Sequence, residues 1–112
     1  MLFRSDIGWL RMPAQPTAGR HAWQAFVTYV DPQRAPCPRN EIMRRLHEAG
    51  IATRPGTHAI HTLGYYRARF GYEPDDYPNA RACELDTMAL PLHNRMTADD
   101  YAYVVAALRE LR

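Results

Sequence analysis

Residues 50–70 read G-I-A-T-R-P-G-T-H-A-I-H-T-L-G-Y-Y-R-A-R-F, and the rest of the chain is organised around them. Gly50 suits the position just past a helix, where a left-handed backbone carries no Cβ penalty. Ile51-Ala52-Thr53 is a short apolar run with strand character. Arg54-Pro55-Gly56 breaks it with a turn signal. His58, His61, Tyr65, Tyr66, Arg67 and Arg69 then fall within twelve residues. So dense a group of titratable and aromatic side chains after a Pro-Gly turn marks a ligand-facing loop.

Upstream, residues 38–49 carry Ile42, Met43, Leu46 and Ala49 at helical spacing. Pro38 suits the first turn of that helix and Gly50 its C′ position. His47 sits in the last turn, where a cation favours the dipole, and reads as a surface residue. Residues 21–30, H-A-W-Q-A-F-V-T-Y-V, form the best strand, rich in aromatic and β-branched side chains. Both of its alternating faces are largely apolar, so it is expected to be a central strand covered on both sides. The return after the helix is expected to place 51–53 beside it. Residues 1–20, with Gly8, Pro13, Pro16 and Gly19, read as a connector. Its apolar anchors, Ile7 and Trp9-Leu10, need a packing partner, in this chain or outside it.

Downstream, Thr62 is the expected N-cap of a helix over 63–70, with Gly71 after it. Residues 71–79 form a loop, and Asn79 is placed to cap a short helix over 80–85. Met88-Ala89-Leu90 is a third strand. Thr97 and Asp100 form a capping box for a last helix running to Leu111. Tyr101, Val104, Val105, Leu108 and Leu111 make its core face. The expected fold is α+β, a small three-stranded sheet with three to four helices packed on it.

Composition sets limits. A chain of 112 residues is one domain that buries roughly two thirds of its unfolded surface. A hydrophobic share of 46% and a charged share of 23% are those of an ordinary globular protein. No run approaches the ~18 apolar residues of a membrane span, and the opening Met-Leu-Phe-Arg-Ser-Asp has no signal-peptide h-region. Cys37 and Cys83 stand alone, as free thiols in a reducing cytoplasm would. The net charge is only +2, and all 14 basic residues are arginine. With no lysine, the chain cannot form an internal aldimine, use a lysine base or build a P-loop. The arginines are spread and interleaved with acids rather than gathered on one face, which argues against nucleic acid.

The chemical motifs exclude more than they assign. His58-x-x-His61 has no third ligand at a recognisable interval, so no metal is expected. Gly56 and Gly64 form no phosphate or dinucleotide fingerprint, there is no G-x-S-x-G elbow, and neither cysteine has a nucleophile's local signature. Arg54, Arg67 and Arg69 around two histidines and two tyrosines suit a phosphate or a sugar, because arginine forks onto phosphate and tyrosine offers a flat face with a hydroxyl edge. The competing reading is a solvated helix whose Tyr66 and Phe70 pack inward at i and i+4. From the residues alone the two stand level.

The order of the pieces carries a resemblance. The strand H-A-W-Q-A-F-V-T-Y-V, the helix ending L-H-E-A-G, then G-I-A-T-R-P-G-T-H-A-I-H, Y-Y-R, Y-P-N-A, A-L-P-L-H and M-T-A-D-D-Y follow one another over residues 8–112. This resembles the C-terminal domain of DegT-type nucleotide-sugar aminotransferases, pyridoxal-phosphate (PLP) enzymes of fold type I. The resemblance implies a large N-terminal domain that carries the aldimine lysine and most cofactor contacts. It implies a small C-terminal domain that covers one side of the active site and helps bind the sugar nucleotide, and active sites at a homodimer interface. His61 takes the place of the histidine that follows a short apolar pair in the family's post-strand loop, so it is expected near the substrate. Arg54 and His58 share that loop, and Tyr65 and Tyr66 open the next helix; these are the further substrate-binding candidates. Pro91-Leu92-His93 matches a second segment read as structural. Arg54-Pro55 resembles members acting on GDP-linked 4-keto sugars and Tyr65-Tyr66-Arg67 those acting on UDP-linked ones, which leaves the nucleotide open.

The chain is therefore expected to be the substrate-binding small domain (residues 21–112) of a cytoplasmic PLP-dependent aminotransferase acting on a nucleotide-linked deoxysugar. Residues 1–20 are then the connector from a PLP-binding domain, and no transaminase activity is expected from this chain alone. Two rivals predict differently. A stand-alone module that binds sugar nucleotides or a full-length partner would expose no apolar face. A non-functional remnant would expose an apolar patch where the large domain docks, and would self-associate through it.

Overall fold

The structure, a computed structural model, describes residues 6–112. Its centre is β2 (Phe26–Val30), whose side chains alternate as the sequence does. Phe26, Thr28 and Val30 are each about 1% exposed, while Val27 and Tyr29 are half-buried. The buried Thr28 hydroxyl donates to the Met88 carbonyl at 2.8 Å, so the one polar group on that face is satisfied. β2 lies between β1 (Leu10–Arg11) and β4 (Thr87–Leu90), and β3 (Arg54–Pro55) flanks β4, giving the order β1-β2-β4-β3 with every pair antiparallel. The central placing of β2 was legible in its two apolar faces.

Among the described residues the sheet has four strands where three were expected. The extra one comes from the stretch read as a connector. Leu10 pairs with Val30 and is 5% exposed, and Ile7 and Trp9 pack against the same core. The odd apolar anchors thus find their partner within this chain. Two other expectations change. Ile51-Ala52-Thr53 is not a strand; the strand forms at Arg54–Pro55 and pairs with β4, not with β2. The cause lies in how α1 (Arg39–Glu48) ends. Gly50 adopts φ +78°. The Gly50 N–H reaches the His47 carbonyl at 2.9 Å and the Ile51 N–H reaches the Leu46 carbonyl at 2.8 Å, a Schellman closure. Ile51 is consumed as the apolar residue that seals this turn against Leu46, and both are in the core.

α1 and α4 (Ala98–Glu110) supply the helical side of that core. Ile42, Leu46, Val104 and Leu108 are buried with Phe26, Val30 and Met88. The expected capping box at Thr97 and Asp100 is present in both directions, and the Tyr103 hydroxyl ties α4 to the Ala49 carbonyl at 2.7 Å. The smaller helices start differently from expectation. Thr62 does not cap α2 (Gly64–Phe70); it ends a 3-10 turn over Ile60–Thr62, and its hydroxyl donates to the Ala59 carbonyl at 2.7 Å. Asn79 does not cap α3 (Pro78–Asp86), because Pro78, with its preset φ, takes the first helical position. Gly71 ends α2 at φ +69°, as expected.

Gly56 fixes where the loop leaves the sheet. Its N–H donates to the Thr87 carbonyl at 3.2 Å. A Cβ there would stand 2.6 Å from Val27 Cγ1 and closer still to Thr87 Oγ1. Gly56→Ala is therefore expected to lower stability by about 1–3 kcal/mol through overpacking. Gly64→Ala, where nothing lies within 4 Å of the added carbon, is expected to be neutral or mildly stabilising; paired urea melts check both.

On α1, Arg44 and Arg45 both donate to Glu41, through contacts of 2.7, 2.8 and 2.9 Å. Those bonds, Arg44's first, lower the Glu41 pKa from 4.5 to about 2. A depressed acid stabilises the fold above its unfolded pKa and loses that contribution as pH falls through the folded value. The Tm gap between the natural chain and Glu41→Gln is therefore expected to hold above pH 4.5 and to close as pH approaches 2. Added salt is expected to narrow it, because the pair is exposed.

Candidate functional site

Beyond Gly56 the chain runs over the surface from β3 to α3, and this segment holds every site candidate read from the sequence except Arg54, which lies in β3 itself. His61 is its anchor. The ring is 6% exposed, and its Nε2 faces the Pro74 carbonyl at 2.9 Å, so Nε2 carries the proton and donates. The same ring packs on Tyr77 with centroids 5.0 Å apart. Ala59, two residues earlier, is 2% exposed. The Thr62 hydroxyl lies 3.2 Å from Glu84 Oε2, which brings α3 alongside this turn.

From His61 a run of rings leads outward. Tyr77 meets Tyr72 edge-on at 5.6 Å, and Tyr72 stacks on Phe70 at 5.5 Å. Phe70 stacks on Tyr66 at 6.2 Å, and Tyr66 meets Tyr65 edge-on at 5.2 Å. These separations are those of attractive aromatic pairs. The hydroxyl of Tyr72 beside it raises the Tyr77 phenol above its usual range. Arg69 lies along the run, with its guanidinium carbon 5.6 Å from the Phe70 centroid and Nη1 donating to the Tyr65 hydroxyl at 3.2 Å. Arg67 stands 3.9 Å from Glu73.

This surface is not core. No residue of α2 is buried. Tyr66 and Phe70 do stack at i and i+4, but Phe70 is 53% exposed and Tyr66 is only half-buried, so the pair does not pack into the core as the inward-packing reading expects. Ile60 and Leu63 are exposed on the same segment.

The structure thus joins Tyr65 and Tyr66 directly and links them through three further rings to His61. Arg54, on the sheet edge, and His58, in the loop after it, are exposed and make no side-chain hydrogen bond or ion pair among the described residues. Sequence reasoning missed Tyr72 and Tyr77. Their signal was two tyrosines bracketing Glu73-Pro74-Asp75-Asp76, a turn that closes on itself through the Glu73–Asp76 capping box and sets the Tyr72 ring on Phe70 and the Tyr77 ring on His61. Chemically, the arrangement offers flat aromatic faces flanked by guanidinium groups, which suits a planar ring or sugar face carrying an anion. It offers no amine for an aldimine. Cys37 and Cys83 are free thiols, and no helix among the described residues is long and apolar enough to cross a membrane.

Comparison with known proteins places the fold. The chain is 37% identical over 94 residues to the spore coat polysaccharide biosynthesis protein SpsC of Bacillus subtilis (strain 168), covering 83% of this chain and 24% of that protein. The fold matches Spr1654 from Streptococcus pneumoniae, solved in its PLP form, with a TM-score of 0.77 at 23% identity over 89% of this chain and 25% of that one. It also matches DesI, solved in the presence of its TDP-sugar product, with a TM-score of 0.80 at 21% identity over 94% and 26% of the two chains. The chain therefore spans about a quarter of the length of the relatives it matches. The model of the DegT/DnrJ/EryC1/StrS aminotransferase family covers residues 3–109, and to that family the chain belongs.

Proposed function

We propose that this chain is the sugar-nucleotide-binding small domain of a PLP-dependent aminotransferase that passes an amine from an amino acid to a keto group on a nucleotide-linked deoxysugar. The observation that carries the reading is the ring run Tyr65–Tyr66–Phe70–Tyr72, in which Tyr65 and Phe70 are exposed, with Arg69 lying along it. Exposed rings on an otherwise apolar-inside fold have no packing reason to face water. The TDP-sugar product in whose presence DesI was solved and the polysaccharide role in SpsC's name support the substrate class.

The residues divide as follows. Tyr65 and Phe70 offer stacking faces to the base or sugar, and Arg69 and Arg67 offer donors to the diphosphate. Arg54 and His58 approach from the sheet edge with free side chains. His61 positions the whole loop by holding Pro74. The cofactor does not fit this chain: without a lysine no covalent attachment is possible here, so residues beyond it hold PLP. When bound there, PLP supplies the electron sink for amine transfer. Residues 1–20 lead from that body, the active enzyme is a cytoplasmic homodimer, and the exposed Ile60 and Leu63 meet the rest of the enzyme.

Calorimetry with TDP-, UDP- and GDP-linked hexoses tests the reading. At least one is expected to bind the isolated chain, and Tyr65→Ala and Phe70→Ala are each expected to weaken it by about 1–3 kcal/mol, the value of a stacked base. Transaminase activity is expected to be nil. Absence of binding by all three, or affinity indifferent to both substitutions, would sink the assignment. Solution mass measured at several concentrations addresses the second reading, a remnant whose exposed Ile60, Leu63 and Phe70 drive self-association.

A further inference from the structure

A cavity of about 340 Å³ opens where the start of α1 faces the end of α3. Val30, Ala35 and Leu85 contribute apolar wall, and Arg39, Asn40 and Asp86 contribute its polar groups. Nothing in the proposed function uses it.

Arg39 is only 8% exposed. Its Nη1 donates to the Thr87 carbonyl at 2.7 Å, and its Nε is buried without a partner. Asp86 and Glu84 lie within electrostatic reach, yet no carboxylate of the described residues pairs with it. The buried Nε is thus left without an acceptor, and Nη2 donates to no protein group among the described residues. The helix end beside it is open as well. Pro38 has no side chain with which to cap α1. The Glu41 and Ile42 N–H groups turn back to the Pro38 carbonyl, which leaves the Arg39 and Asn40 N–H groups as orphan donors of the first turn. Helix dipole, orphan donors and guanidinium all point to a carboxylate.

Asp86 prevents that ligand from being a plain anion. Its carboxylate lines the same cavity, and among the described residues it has neither hydrogen bond nor ion pair. Burial pushes its pKa up, Arg39 pulls it partly back, and Asp31 adds further negative charge nearby. A simple anion would meet these carboxylates, and a simple cation would meet Arg39. A ligand with a carboxylate at one end and an ammonium at the other satisfies both.

We infer that the cavity binds a free α-amino acid as its zwitterion, the carboxylate held by Arg39 and the open end of α1, the ammonium by Asp86, and an apolar side chain against Val30, Ala35 and Leu85. The site stands on α1 and α3 and does not depend on the sugar-nucleotide reading. Occupancy would brace the two elements that Arg39 already joins through Thr87.

The test is an amide NMR titration of the ¹⁵N-labelled chain with L-leucine, N-acetyl-L-leucine and L-leucinamide, with Tm measured alongside. Leucine is expected to give saturable shifts at the Arg39, Asn40 and Asp86 amides in the millimolar range and to raise the Tm by mass action. The two blocked analogues are each expected to bind about tenfold more weakly, having lost one charged hydrogen bond. Asp86→Asn removes a side chain with no partner, so the fold should survive. In that variant leucine is expected to fall to the affinity of N-acetyl-leucine, which itself is expected not to weaken. Absence of saturable shifts at these amides would overturn the inference and leave Arg39 and Asp86 a solvated pair. N-acetyl-leucine binding as tightly as leucine would overturn it in favour of an anion site.

Discussion

The arrangement rests on the close approach of the chain at Gly56 to β4 and β2. There the backbone passes so near Thr87 and Val27 that no side chain fits, and it leaves the sheet hydrogen-bonded to the Thr87 carbonyl. Thr87 is also the residue whose carbonyl takes Arg39, so one short strand end anchors the exit of the loop and the entry of α1. Everything from His58 to Tyr77 hangs between this point and the start of α3. A loop of that length with no core contact of its own would fray, because each residue fixed costs about 1–2 kcal/mol of backbone entropy. His61 is the second fixing point: buried against Tyr77 and bonded to Pro74, it divides the span into two shorter ones.

Between those points the usual order of a globular protein is reversed. The aliphatic residues of β2, α1, β4 and α4 are inside, whereas Tyr65 and Phe70 of α2 are exposed and its Tyr66 is half-buried. The rings support one another instead of the core, each pair worth roughly 0.5–1.5 kcal/mol beyond area burial. Such a surface is rigid enough to present flat faces and still wet, a combination suited to ligand recognition and unnecessary for folding.

The sequence made legible much that was decided locally, though not the starts of α2 and α3. The stripe Ile42–Leu46 and the Thr97–Asp100 box are written in residues within a few positions of one another and formed as read, and the strand read over 21–30 formed over its second half, Phe26–Val30. What escaped depended on distant partners. Leu10 becomes a strand only because Val30 offers a free ladder edge. Ile51 leaves the strand because Leu46 closes the helix through it. His61 was legible as a place in a family pattern, but its bond to the Pro74 carbonyl, thirteen residues on, has no local signature. The ring run was half visible for the same reason: Tyr65, Tyr66 and Phe70 share a helix, whereas Tyr72 and Tyr77 reach it across a turn.

The pairing of Leu10 with Val30 has a mechanical consequence. The Asp31 N–H also holds the Trp9 carbonyl at 2.8 Å, so the entering chain is clamped to the strand at the centre of the sheet before it reaches the proline-rich stretch that follows. A body attached upstream would be tied to β2 through β1, while residues 12–25, which rest on the core through Met12 and Trp23, would lie outside that load path. Tilting such a body would load β2 directly through β1, and β4 and Gly56 would feel it next. The aromatic surface would then move with the upstream body as one lever, not as a pendant on a flexible leash.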